Sequence, residues 1–82
     1  MTAEEMRQQA FACEEVAKAI DEEPTEGKSE HELTMLSIEF ANQILRRDLW
    51  NIAAEQTDRI EAFSASLQAL AGAVERLAGV PK

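Results

Sequence analysis

The sequence predicts an all-α fold: a single domain in which a short helix over about residues 3–21 folds back on a long helix over about residues 30–78. Alanine, leucine, glutamate, glutamine and arginine, which favour helices, dominate the 82 residues. No stretch alternates apolar and polar side chains as a half-buried strand does. One charged turn at 21–29 interrupts the helical pattern, with Pro24 and Gly27 as its breakers.

The first helix is expected to be amphipathic, with a thin apolar face. Its apolar side chains recur every three or four residues and therefore share one side of the helix. They are Met6, Ala10, Cys13, Ala17 and Ile20. Because most of them are small, another helix can approach this face closely. Phe11 falls nearly opposite, which makes it a candidate contact for a partner.

Both ends of the second helix carry recognisable signals. Ser29 followed by Glu32 is a capping-box pattern, in which the serine hydroxyl and the glutamate carboxylate each accept a bond from a free backbone N–H. We therefore expect this helix to begin at about Glu30. Gly79 and Pro81 predict its end.

One apolar stripe runs along the second helix and is called the long stripe below. At about 100° per residue, its members fall within a sector of about 120°. They are Met35, Ile38, Leu45, Leu49, Ile52, Ala53, Ile60, Phe63, Leu67, Leu70, Ala71, Val74, Leu77 and Ala78. Because a break would reset the phase of this stripe, we expect one continuous helix about 70 Å long.

An alternative fold places a kink near 56–58 and gives a three-helix bundle, although no glycine or proline lies there to force it. The stripe also drifts by one position along the chain relative to a strict seven-residue repeat. A straight helix with 3.6 residues per turn shows that drift. It predicts bundle packing rather than a long supercoiled rod.

A second apolar face lies roughly opposite the long stripe, over the first third of the second helix. It consists of Leu33, Leu36, Phe40 and Ile44. The first helix, about 30 Å long, can cover either this face or the start of the long stripe, and its cover is expected to end near Ile44. Residues 60–77 remain uncovered in both cases, and an exposed apolar stripe of that length implies an interface.

The simplest way to cover the long stripe is a twofold homodimer in which two stripes face each other, preferably antiparallel, in a four-helix bundle. The candidate interface residues are Leu45, Leu49, Ile52, Ile60, Phe63, Leu67, Leu70, Val74 and Leu77. Asn42 and Gln56 interrupt the stripe, and polar residues at such positions fix register at some cost in stability. A ligand or partner contact is the alternative role for these two amides.

Charge is unevenly distributed along the chain. Residues 1–41 hold eleven acidic and three basic side chains, whereas residues 42–82 hold five of each. The acidic half repels phosphate, so no direct nucleic-acid binding is expected. The N-terminal sequence lacks a signal-peptide pattern, and no apolar run approaches the roughly 18 residues of a membrane span. A single cysteine favours a reducing compartment, so we expect a cytoplasmic protein that does not associate with a membrane.

No constellation of residues predicts catalysis, a cofactor or a metal. One cysteine and one histidine cannot form a usual zinc site. The three glycines lie far apart and make no phosphate loop. The residue three before His31 is Lys28, where a di-iron bundle requires glutamate. The protein is therefore expected not to be an enzyme.

The stretch "ILRRDLWN", residues 44–51, combines basic and aromatic side chains. Arg46, Arg47 and Trp50, together with Phe11 and Phe40, are the candidate partner-binding residues, since arginine and tryptophan are enriched in binding hot spots. The alternative interpretation is a clamp between helices, in which Trp50 covers the edge of the hairpin and the arginines pair with acids of the first helix.

Three functions fit these observations. The first is a non-enzymatic protein that binds another protein, as an inhibitor, regulator, adaptor or chaperone. The second is an acidic mimic of nucleic acid that blocks a basic groove of a DNA- or RNA-handling protein. The third is a structural subunit of a helical assembly.

Overall fold

A computed structural model of the protein describes residues 1–79 and contains two helices, α1 over Ala3–Asp21 and α2 over Glu30–Ala78. Both helices have the predicted bounds, and no strand occurs in the described part of the chain. The second helix continues unbroken through residues 56–58, where the three-helix alternative required a kink. The all-α hairpin predicted from the sequence is therefore confirmed.

The N-terminus of α1 has a complete capping box that the sequence analysis overlooked. The Glu5 amide donates to Thr2 Oγ1 at 3.1 Å, and the Thr2 amide donates to Glu5 Oε1 at 3.1 Å. The Thr2 backbone N–H, and after it the Thr2 side chain, form hydrogen bonds to the Glu5 carboxylate. These bonds hold the pKa of the Glu5 carboxyl below its ordinary value. The threonine and glutamate, three residues apart, show the same pattern as Ser29 and Glu32.

The turn and the ends of α2 follow the predicted signals in part. Glu32 N donates to Ser29 Oγ at 3.2 Å, but within residues 1–79 the return bond of a full capping box is not formed. Gly27 adopts a φ of 77°, which glycine tolerates best. At the other end, Gly79 remains in a helical conformation and donates to the Glu75 carbonyl at 2.9 Å. The predicted stop at Pro81 lies outside the described residues.

The helices pack antiparallel, and α1 covers the second apolar face. On α2, buried and half-buried residues repeat in steps of three and four along one seam: Leu33, Leu36, Phe40, Gln43, Arg47, Trp50, Ala54 and Thr57. Thr57 Oγ1 donates to Met6 Sδ at 3.5 Å, and Arg7 pairs with Asp58. The expectation that cover ends near Ile44 is therefore wrong. The seam continues through Arg47, Ala54 and Thr57, which a search for large apolar residues passes over.

The fully buried apolar residues of this seam are all alanines. Ala3, Ala10 and Ala17 lie seven residues apart on α1 and Ala54 lies on α2, with exposures of 1–6%. Side chains this small let the two helix backbones approach closely. They also make a thin core, because the hydrophobic contribution scales with the apolar area that is buried. The hairpin therefore buries little for its length.

A seam alanine should not tolerate a larger side chain. Ala17 is 1% exposed, so the larger side chain of Ala17→Leu would force the helices apart and cost about 1–3 kcal/mol. Ala19→Leu is the matched control, because Ala19 is exposed in the same helix. Alanine and leucine have similar helix propensities, so the control isolates the effect of side-chain size in the seam. Urea unfolding at one protein concentration compares them. Equal stability of both variants would contradict the close alanine seam.

Candidate functional site

The large apolar side chains of the long stripe are exposed along its whole length. Eleven of its large apolar side chains have exposed fractions from 49% at Ile38 and Leu67 to 76% at Leu77. The others are Met35, Leu45, Leu49, Ile52, Ile60, Phe63, Leu70 and Val74. Since α1 packs on a different face of α2, no described part of the chain covers this stripe. Every residue predicted for the dimer interface is therefore at the surface.

The long stripe has two parts, and only in the first does α1 pack against the opposite side of α2. Over residues 35–52, α1 supports α2 from the far side. Contacts between Met6 and Thr57 and between Arg7 and Asp58 lie within two turns of the α1 N-terminus. Most of residues 59–78 therefore extends beyond α1 as a single helix, and every residue from 58 to 71 is exposed. We call this part, with its apolar positions 60–77, the bare stretch.

The spacing of the stripe changes at one point only. With Asn42 and Gln56 included and the three alanines left out, its positions before Gln56 alternate in steps of three and four, and the positions from Ile60 onward do the same. Between Ile52 and Ile60 two four-residue steps follow each other, with Gln56 between them. The drift predicted from the sequence is thus one discrete shift in phase, which locally unwinds a coiled coil.

Three residues of the "ILRRDLWN" stretch and one residue just after it form a groove of about 370 Å³. Arg46, Leu49, Trp50 and Ala53 line it. Their spacing of i, i+3, i+4 and i+7 is that of the hole which receives one side chain of a facing helix in coiled-coil packing. Leu49 belongs to the long stripe, and Trp50 belongs to the seam with α1. Trp50 therefore joins the hairpin interior to the exposed surface.

The two adjacent arginines have different surroundings. Arg47 Nη1 lies 3.5 Å from Glu14 Oε1 on α1, and Arg47 Nη2 lies 3.0 Å from Asp48 Oδ1. The Arg47–Glu14 pair agrees with the clamp interpretation. Arg46 is exposed and forms no ion pair within residues 1–79. Of the two, Arg46 is the one whose charge is available at the groove.

The two candidate phenylalanines are separated from this groove. Phe11 is 62% exposed on α1, whereas Phe40 is half-buried in the seam. Phe40 also lines a second groove of about 270 Å³ at the turn end of the hairpin, among apolar residues and the acids Asp21 and Glu23. This groove was not predicted from the sequence, because it depends on how the turn brings residues 20–25 next to residues 33–40.

Acidic, histidine and cysteine side chains are scattered in the described part of the chain, which holds no group of three placed to bind a metal ion. Cys13 is half-buried in the seam, and His31 is exposed in the first turn of α2. Neither helix, within residues 1–79, has a segment that is long and apolar enough to cross a bilayer.

Comparisons with protein-family models, with curated proteins and with solved structures give no match. The fold and the surface define the class of molecule as a two-helix hairpin with an uncovered apolar stripe.

The ion pair between α1 and α2 should contribute little to stability. The Arg47 and Glu14 side chains are 28% and 53% exposed, so solvent screens their attraction. A double-mutant cycle with Arg47→Ala and Glu14→Ala should give a coupling energy of about 0.2–1 kcal/mol, falling as salt is added. The pair Arg59 and Glu55, at 2.6 Å within α2, is the control for an exposed pair in one helix. A coupling well above that range would show that this pair holds the hairpin together.

Proposed function

We propose that this protein acts by binding other protein chains, as an inhibitor, regulator, adaptor or chaperone, and that it is not an enzyme. The long stripe is the binding surface, and the chain self-associates as a homodimer through it. The observation that carries the proposal is the line of eleven large apolar side chains, each about half exposed or more, on α2.

The surface area supports this proposal. The chain has an accessible surface of 6589 Å², whereas a compact monomer of 9.1 kDa has about 4,900 Å². Its radius of gyration is 22.8 Å, against about 12 Å for a compact chain of this length. Soluble monomers rarely expose contiguous apolar patches above a few hundred Å². Binding a protein chain along the stripe removes this excess from water.

The structure also gives some support to the acidic mimic as a second candidate. All eleven acidic residues within positions 1–41 are exposed. Such a surface attracts a basic partner over a distance set by the ionic strength. The two functions differ in their response to salt: binding through the apolar stripe persists at about 1 M salt, whereas binding through the acids weakens steeply. The third candidate, a structural subunit of a helical assembly, would use the same stripe as the leading proposal.

Photo-crosslinking from single positions of α2 tests the stripe in the native host. A photoreactive residue at Leu70 on the stripe should give discrete adducts that persist in high salt. The same residue at Gln68, exposed but off the stripe, should give few. An adduct of twice the chain mass identifies a second copy, and heavier adducts identify foreign partners.

The same crosslinking experiment has outcomes that would contradict the proposal. Equal labelling from Leu70 and Gln68, or no adducts from either, would contradict binding through the stripe. Adducts that disappear in salt and after charge reversal at Glu14, Glu15, Glu22 and Glu23 would favour the acidic mimic instead.

A further inference from the structure

With its three alanines left out, the long stripe has positions that read the same in both directions from Gln56. Counting Asn42 and Gln56 among them, the steps toward the N-terminus are four, three, four, three, four and three residues, ending at Met35. The steps toward the C-terminus are also four, three, four, three, four and three, ending at Leu77. The single phase shift therefore lies at the centre of the stripe.

We propose that a second copy of this chain covers the long stripe in an antiparallel dimer whose twofold axis passes beside Gln56. In this register, Phe63 of each chain packs beside Leu49 of the other. The inference deepens the proposed function, on which it rests, by naming the occupant of the stripe and its register.

The symmetric spacing is what an antiparallel pair requires. An axis at Gln56 places position n of one chain opposite position 112 − n of the other. Ile60 then faces Ile52, Phe63 faces Leu49 and Leu67 faces Leu45. Further from the axis, Leu70 faces Asn42, Val74 faces Ile38 and Leu77 faces Met35. If the axis is moved by one heptad, the two consecutive four-residue steps between Ile52 and Ile60 no longer lie at the centre. About half of the stripe positions of each chain then no longer face stripe positions of the other chain. A parallel pair needs no such symmetry.

The lengths of the helices favour the same arrangement. Each bare stretch comes to lie along residues 35–52 of the second copy, where α1 supports α2 from the far side. Each end of the dimer then has three helices in cross-section, with α2 of one copy between its own α1 and the bare stretch of the other. A parallel pair would leave two bare stretches packed only on each other. The excess surface of about 1,700 Å² per chain exceeds the roughly 800 Å² that each partner buries in a standard interface.

Phe63 is the side chain of the bare stretch that tests this register best. It is the largest apolar side chain there and is 64% exposed. In the proposed register it lies level with Leu49 of the second copy, on the side of the stripe where Leu45 and Ile52 lie.

The positions of the acidic residues favour the antiparallel pair over the parallel pair. The turn and the first turn of α2 hold six acids: Asp21, Glu22, Glu23, Glu26, Glu30 and Glu32. In an antiparallel dimer about Gln56, the two Glu30 residues are roughly 80 Å apart at 1.5 Å per residue, far beyond a screening length of about 8 Å. A parallel dimer would place the two acidic turns side by side. Near the axis each chain carries the pair Glu55 and Arg59, which is neutral as a whole.

Two phenylalanines of nearly equal exposure provide a matched test of the contact. Phe63→Ala should raise the dimer dissociation constant at least about tenfold, because it removes the same buried side chain from both ends of the interface. Phe11→Ala, which removes a ring that is 62% exposed on α1, should leave the constant unchanged. Sedimentation equilibrium measures both. Equal effects of the two substitutions, or a monomer at all accessible concentrations, would overturn the proposal.

Spin-label distances test the orientation. On a Cys13→Ser background whose helicity is checked by circular dichroism, Ser37→Cys and Glu75→Cys place labels away from the stripe. The antiparallel register predicts about 57 Å between two Ser37 sites and between two Glu75 sites, and a short distance between Ser37 of one chain and Glu75 of the other. Short distances within both same-site pairs would establish the parallel dimer and overturn the proposal.

The failure of this inference is distinguishable from failure of the proposed function. Foreign adducts from Leu70 in the host, together with a monomer in sedimentation, would remove the dimer and leave protein binding standing. Loss of both kinds of adduct would remove both.

Discussion

The unequal length of the two helices is the constraint on which the rest of this structure depends. The first helix has 19 residues and the second has 49, so α1 cannot reach the far half of α2 whichever face it covers. A seam of buried alanines sets the close packing of α1 on one side of α2. Eleven large apolar side chains of α2 lie on another side, where no part of residues 1–79 covers them. A molecule of 85 × 15 × 13 Å follows from that division.

The sequence was sufficient to predict the parts that depend on local signals and on phase. Helix bounds followed from the charged turn, from Ser29 and from Gly79, and helix continuity followed from the unbroken stripe. The path of α1 was predicted only in part, because its seam uses Ala54 and Thr57, which a pattern of large apolar residues does not include. The different environments of Arg46 and Arg47, and the groove beside Trp50, depend on how a second helix lies across the first. One sequence read along a single helix does not contain that information.

The molecule has two candidate binding surfaces, one that acts through electrostatic attraction and one that acts through burial of apolar area. The acids of residues 1–41 are exposed along α1, the turn and the start of α2, and any attraction they exert is screened by salt. The long stripe acts through removal of apolar area from water, which salt does not screen. The symmetric spacing of the stripe about Gln56 suits both surfaces, because an antiparallel pair would bring the two apolar stripes together and keep the two acidic turns far apart. Polar residues within such a stripe fix register more than they add stability.

Amide hydrogen exchange over residues 60–77 tests most directly the claim that protein covers the bare stretch. A single helix beyond α1 has no tertiary support and exchanges quickly, whereas the same helix packed against a second chain opens only with the dimer. The account predicts protection of residues 60–77 comparable to that of residues 36–54 at high protein concentration, and its loss on dilution below the dissociation constant. Fast exchange of this segment at every concentration, with residues 36–54 still protected, would contradict it.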